Sequence, residues 1–195
     1  MKHLAIFASG TGSNTAKIVD YFDKVPDIKI ALIVSNRADA GVLDIGKAHN
    51  IPTKVIDRED FYHSNQILFD LQDSNVHWII LAGFLWLVPS YLINSYPRRI
   101  INIHPALLPK YGGKGMYGIR VHEAVHKAEE PKSGISIHYV NEQYDEGQII
   151  FQATCDLSPE DQPEDIRRKV LKLEHQYFAP VIEKLIRKEK IQFSS

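Results

Sequence analysis

Cysteine is almost missing from this chain: Cys155 is the single example in 195 residues. One thiol closes no intrachain disulfide, which excludes a stapled secreted scaffold and makes the cytoplasm the expected compartment. No long hydrophobic run is present, and Leu4-Ala5-Ile6-Phe7 is too short for a signal-peptide core or a membrane span. Neither sign of charge is in excess. Lys plus Arg total 23 against 24 Asp plus Glu, a net charge of -1, which argues against a general nucleic-acid binder and against a membrane partner. Repeats, low-complexity tracts and linkers are also lacking, so residues 1–195 are expected to form one domain. What is present is an ordinary globular composition, 44% hydrophobic and 24% charged. A chain of this length buries about 70% of its unfolded surface, enough for a core without staples.

Apolar runs alternate with helical patterns. Strands are expected over Leu4–Ala8, Ile28–Val34, Thr53–Asp57, His77–Ala82 and Arg99–His104. Between them, helices are expected after the Ser9–Asn14 turn cluster as far as Pro26, over Ala38–His49, around Ile67–Leu71 and over Pro89–Tyr96. Five strands with helix-length connections indicate a parallel α/β sheet with right-handed crossovers. The pattern then changes. Leu107–Gly118, with four Gly and one Pro, reads as a long loop, followed by a helix over Val121–Glu129. Two further strands, Ile135–Val140 and Gln148–Cys155, are expected to be antiparallel, and a helix over Glu164–Lys190 to break or kink at Pro180.

Gly10-Thr11-Gly12-Ser13-Asn14 falls where an open α/β sheet presents its first helix N-terminus. Glycines permit close backbone approach, and the helix dipole favours an anion there. A dinucleotide fingerprint requires glycine where Thr15 stands, and the Gly-Lys-Ser/Thr of a P-loop is absent. The turn therefore reads either as a phosphate-monoester site or as a capped Gly-rich turn without a ligand.

Asn102 and His104 are two apart on an expected strand, hence on one face, at its carboxyl end. An amide beside an imidazole stabilises charge on a carbonyl oxygen and moves a proton near neutral pH. The alternative is a strand end whose polar residues bond neighbouring loops. Ser136 and His138 repeat the spacing, and Asp145-Glu146-Gly147 adds an acidic turn soon after, which favours chemistry. His122-Glu123-Ala124-Val125-His126 has zincin spacing, but its downstream third histidine is missing because position 132 is Lys132. No metal is expected, and the histidine pair is read as helix surface. Cys155 lies in an apolar strand and reads as a buried thiol.

Asn102-Ile103-His104-Pro105-Ala106-Leu107-Leu108-Pro109 resembles the Asn-x-His-Pro segment of the folate-dependent formyltransferases, and Ser136-Ile137-His138-Tyr139-Val140 with Asp145 resembles their second catalytic block. The Gly10–Asn14 turn, Ser35–Ala40 and Leu81–Phe84 are similar to the branch that formylates glycinamide ribonucleotide. The likeness runs from the first strand to Glu174-His175. It implies a Rossmann-like α/β formyltransferase fold, mostly parallel with an antiparallel C-terminal portion and helices on both faces. It also implies transfer of a formyl group from 10-formyltetrahydrofolate, as cosubstrate, to the amine of 5'-phosphoribosylglycinamide in purine biosynthesis.

By the same resemblance, Asn102 holds the formyl oxygen, His104 is the general acid, and Asp145 orients His104 and raises its pKa. Gly12, Ser13 and Asn14 bind the phosphate, Glu174 meets the glycinamide end, and Leu85, Trp86, Leu87 and Val88 line the pterin pocket together with Asn102. Two positions depart from the pattern: Trp86 and Ser64 stand where basic residues are usual, which leaves Arg58 or Lys110 to meet the folate glutamate tail. The loop Tyr111–Gly118 is expected to be mobile and to close over substrate. The partners implied are small molecules, with the chain a monomer or homodimer. The RNA-binding domain of methionyl-tRNA formyltransferases and the regulatory domain of 10-formyltetrahydrofolate hydrolases are not expected here. Hydrolysis of the formyl folate, a zinc hydrolase and an inert phosphate-binding module are the competing readings.

Overall fold

β-Branched runs ended by turn residues build the sheet. In this computed structural model, which describes residues 1–193, the strands are β1 (Lys2–Phe7), β2 (Ile28–Ser35), β3 (Thr53–Val55), β4 (Trp78–Leu81), β5 (Ile100–His104), β6 (Lys132–Tyr139) and β7 (Ile149–Asp156). Their order is β3-β2-β1-β4-β5-β6-β7. The first five strands pair in parallel, whereas β6 and β7 are antiparallel. The chain is therefore α/β with a mostly parallel sheet, as its alternation of patterns implies. The backbone groups into two compact units, Met1–Asn102 and the residues from Ile103 onward.

In the first unit, Leu4, Ala5 and Ile6 of β1 are fully buried, the mark of a parallel strand covered on both faces. The helices are α1 (Ser13–Phe22), α2 (Val42–Ala48), α3 (Arg58–His63), α4 (Gln66–Asp73) and α5 (Ser90–Ser95). Helix α1 buries Ile18, Val19 and Phe22 at helical spacing. Because β1 lies between β2 and β4, strand order reverses there, and the segments after β1 and β4 leave adjacent carboxyl ends. Two bonds tie those segments together. The Ser9 N–H donates to the Gly83 carbonyl at 3.0 Å, and the Leu85 N–H to Ser9 Oγ at 3.0 Å.

Two expectations change in this unit. The second helix starts at Val42 rather than Ala38, because Arg37–Ala40 forms a turn in which the Arg37 N–H donates to Ser35 Oγ at 3.2 Å. Helix α3 is absent from the pattern reading because six residues with one buried side chain, Phe61, show no period. The side chain of Asp57 caps it, accepting from the Asp60 N–H at 2.9 Å.

The second unit joins the β6–β7 hairpin to α6 (Ile119–Lys127) and α7 (Pro163–Arg187), which pack on each other, α7 also covering β6 and β7. The Gln162/Asp165 capping box and Pro163 start α7. The expected break at Pro180 does not occur: α7 runs through it, held by Phe178, Ala179, Val181 and Ile182, all buried. Tertiary burial outweighs one lost backbone bond.

Candidate active-site residues

Candidate residues occur in each unit, beginning with the glycine turn of the first. Gly12, the N-cap of α1, adopts φ 83° and ψ 25°. A Cβ there would come within 2.7 Å of Ile45 Cδ1 and 3.0 Å of Val42 Cα, so both the conformation and the space require glycine. No side chain caps α1, and Ser13 is exposed with Asn14 half-buried. This is a helix N-terminus whose first-turn amides have no intrahelical acceptor, the arrangement that suits an anion.

The segment after β4 is aromatic beneath and open above. Phe84 and Val88 are buried, Trp86 and Leu87 are half-buried, and Leu85 is exposed. Trp86 lies against Phe61, Tyr62 and Phe84 with centroids 5.6, 6.2 and 6.2 Å apart. Tyr62 Oη donates to the Leu87 carbonyl at 3.1 Å, which fixes the segment's path. The Arg58 guanidinium sits over the Tyr62 and Trp86 rings at 5.3 and 5.7 Å. Lys110, by contrast, is paired with Glu130 at 2.7 Å. Ser64 ends α3, its Oγ donating to the Asp60 carbonyl at 2.9 Å.

In the second unit, a carboxylate stands between two imidazoles. Asp145 Oδ2 is 3.4 Å from His104 Nδ1, and Asp145 Oδ1 is 3.5 Å from His138 Nε2. His138 Nδ1 is 2.9 Å from the Tyr139 carbonyl. Both histidines are buried, at 3% and 2% exposure. Burial pushes the His104 imidazole below its ordinary 6.5, and the pull of Asp145 and the Tyr111 carbonyl offsets this only in part. The expected rise is thus reversed in the net, although Asp145 acts in the expected direction. Burial also penalises the Asp145 carboxylate, but His138, the charge of His104 and the Gly113 amide outweigh it, leaving its pKa below the usual value. His138 entered the sequence reading through its spacing and through its place in the second block of the resemblance, with no role assigned to it. The pattern gave its face, not the acid it would meet.

The backbone after β5 completes the surroundings of His104. The Tyr111 carbonyl is 2.7 Å from His104 Nε2, and the Gly113 N–H donates to Asp145 Oδ2 at 3.0 Å. Ser136 acts as a staple in this unit: Oγ donates to the Ala106 carbonyl at 2.7 Å and accepts from the Leu108 N–H at 2.9 Å. Gln152 Nε2 adds bonds to Ser136 Oγ at 2.8 Å and to the Leu108 carbonyl at 3.1 Å. Two residues before His104 on β5, Asn102 is half-buried and shares its strand face by alternation.

Glu174 is buried on α7 at 9% exposure. His122 corrects the reading of its helix pair as surface: it is 3% exposed, on the inward face of α6 with Val121 and Val125, and only His126 is partly open. Desolvation, reinforced by Arg167, pushes His122 down to about 4. Among the described residues, no group of three or more His, Cys, Asp or Glu side chains is arranged to hold a metal ion. Nor is any helix among them long and apolar enough to cross a membrane. Cys155 is half-buried, and burial raises its thiol pKa.

Residues 2–182 match the family model described as "Formyl transferase". Phosphoribosylglycinamide formyltransferase, chloroplastic, of Arabidopsis thaliana is 38% identical over 187 residues, 93% of this chain, which spans 64% of that relative's length. The phosphoribosylglycinamide formyltransferase of Bacillus subtilis is 34% identical over 191 residues, 95% of each chain. The crystal structure of the Anaplasma phagocytophilum phosphoribosylglycinamide formyltransferase superposes with a TM-score of 0.87 at 31% identity, covering 100% of this chain and 90% of that one. Order of motifs, sheet topology and similarity along nearly the whole sequence agree, and the chain belongs to the formyl transferase family.

Proposed function

We propose that this protein transfers the formyl group of 10-formyltetrahydrofolate to the amine of 5'-phosphoribosylglycinamide, a step of purine biosynthesis, in the cytoplasm. The observation that carries the reading is buried His104, bracketed by Asp145 at 3.4 Å and the Tyr111 carbonyl at 2.7 Å, two residues beyond Asn102 on β5. Relatives named for this reaction support it.

The amine lone pair attacks the formyl carbon, and the carbonyl electrons move to oxygen. The Asn102 amide donates to that oxyanion. As the intermediate collapses, the bond to the folate nitrogen breaks and that nitrogen gains the proton the amine gives up, with His104 carrying it. A burial-lowered pKa makes the imidazolium a ready donor, while Asp145 keeps the charged form accessible. Gly12, Ser13 and Asn14 take the phosphate through the α1 N-terminus, and Glu174 meets the glycinamide end. The Leu85–Val88 segment receives the pterin, largely through backbone groups. With Lys110 engaged by Glu130, Arg58 is the cation assigned to the folate tail carboxylates.

The test is an assay of purified protein with 10-formyltetrahydrofolate, with and without the ribonucleotide. Formyl transfer that requires the ribonucleotide is expected. Equal folate turnover in its absence makes the chain a hydrolase, and activity lost to chelators and restored by zinc returns the reaction to His122. Replacing Asn102 by Ala is expected to slow transfer about 100- to 1000-fold, the usual loss of one oxyanion donor.

A further inference from the structure

The contacts of His104 raise a question of atoms: which ring nitrogen handles the transferred proton. A backbone carbonyl only accepts, so Nε2, 2.7 Å from the Tyr111 carbonyl, carries a hydrogen in either charge state. The titrating nitrogen is then Nδ1, whose neighbour is Asp145 Oδ2 at the longer distance of 3.4 Å. That same oxygen accepts from the Gly113 N–H at 3.0 Å. Tyr111 and Gly113, with one residue between them, thus grip both members of the His104–Asp145 pair through main-chain groups.

The grip has an anchor. Tyr111 adopts φ 57°, a left-handed conformation that a residue with a side chain rarely takes without a contact to hold it. Its hydroxyl donates to Glu130 Oε1 at 2.8 Å, and Lys110 Nζ meets the same oxygen at 2.7 Å. Gly112 fits between, where a Cβ would come within 2.5 Å of Leu108 Cδ2 and 3.2 Å of Asp145 Cβ.

Building on the formyl-transfer reading above, we propose that Tyr111 and Glu130 are positioning residues that hold the Tyr111 carbonyl on His104 Nε2, so that Nδ1 is the nitrogen that takes and returns the transferred proton. In a turnover, neutral His104 accepts the amine proton at Nδ1 as the new C–N bond forms. It gives that proton to the folate nitrogen as the old C–N bond breaks, and Nε2–H stays on the carbonyl throughout. The other titratable groups facing His104 are Asp145, His138 of β6 and His122 of α6; Arg167 and Glu164 of α7 act on His122.

The experiment uses the full chain as wild type, Tyr111→Phe, Glu130→Ala and Glu130→Gln. Nitrogen-15 NMR of the imidazoles, without substrates, reads the His104 tautomer. Wild type is expected to show Nε2–H alone, with Tyr111→Phe and Glu130→Ala giving a mixture. In the transfer assay those two variants are expected to lose about tenfold in kcat, with KM for both substrates unchanged. The carbonyl contact favours the charged imidazole, whereas the turnover starts from the neutral ring, so weakening the contact moves the acid limb of the kcat profile to lower pH. Glu130→Gln keeps an oxygen acceptor and is expected to recover most of the activity. An Nδ1–H tautomer in wild type, or variants matching wild type in tautomer, kcat and pH limb, overturns the proposal. If wild type transfers no formyl group, the reaction reading fails, while the NMR result still decides the contact.

Discussion

The two units are built from different materials. Among the described residues, the buried polar groups of the first unit are Ser9, Thr15 and Ser35, and none of them titrates near neutrality. Those of the second are His104, His122, Ser133, Ser136, His138 and Glu174, four of them titratable. The first unit displays backbone: a left-handed glycine, an uncapped helix N-terminus and a loop laid over aromatic rings. The second buries imidazoles and carboxylates, and carbonyls and an amide meet His104, His138 and Asp145. Recognition through main chain needs close approach and little charge, whereas proton transfer needs groups whose pKa values are displaced by desolvation. The expected division is that changes in the first unit act on substrate affinity and changes in the second on the chemical step.

The largest expected break comes from His104→Ala. Steady-state assays are expected to show kcat down by about 100- to 10,000-fold, with the circular dichroism spectrum retained. Loss confined to KM would end the division between the units.

The second unit also stores a pH dependence, through His122. Burial pushes it down to about 4 in the folded chain, below the ordinary 6.5 of a solvated imidazole, so the unfolded chain takes up the proton first as pH falls. The associated stability is fully present above 6.5 and is lost as pH falls toward about 4. Urea unfolding across that window is expected to show about 3 kcal/mol more loss in wild type than in His122→Leu. Parallel curves for the two proteins would assign the pH dependence to other groups.

Gly12→Ala tests the first unit. The φ of 83° and the 2.7 Å approach to Ile45 are expected to lower the unfolding free energy by about 1–2 kcal/mol. In kinetics, the KM for the ribonucleotide rises more than kcat falls. A drop in kcat alone would place the turn in the chemistry instead. The smallest effect is Arg58→Ala, which removes the cation over Tyr62 and Trp86 and is expected to cost about 0.5–1 kcal/mol in thermal or urea unfolding. Its KM for the formyl folate is expected to rise with kcat unchanged.

Much of this architecture was legible in the chain. The runs that became β1, β2 and β4 are mainly apolar, β5 is apolar on the face of Ile101 and Ile103, and all end near glycine, serine or proline, so their existence and parallel pairing could be read directly. The start of α2 and the whole of α3 could not. The first is decided by a turn through Ser35 Oγ and the second is too short to show a period. Asn102 and His104 stood out by type and spacing, because an amide and an imidazole are costly at a strand end without a task, and Asp145 stood out by the acidic turn it opens soon after. His138 showed only its face, and the Tyr111 contact gave no sign at all, since a carbonyl belongs to every residue.

The sequence by itself determined the fold class, the family and the residue types available for chemistry, because hydrophobic period and motif spacing are properties of neighbouring positions. Only the tertiary structure decided how those residues behave. It buried His122, which the helix pattern had left at the surface, and placed one carboxylate between two histidines. It also turned the net shift of His104 downward despite the adjacent acid. Desolvation depends on everything packed around a group, and most of what surrounds His104 comes from segments distant in the chain.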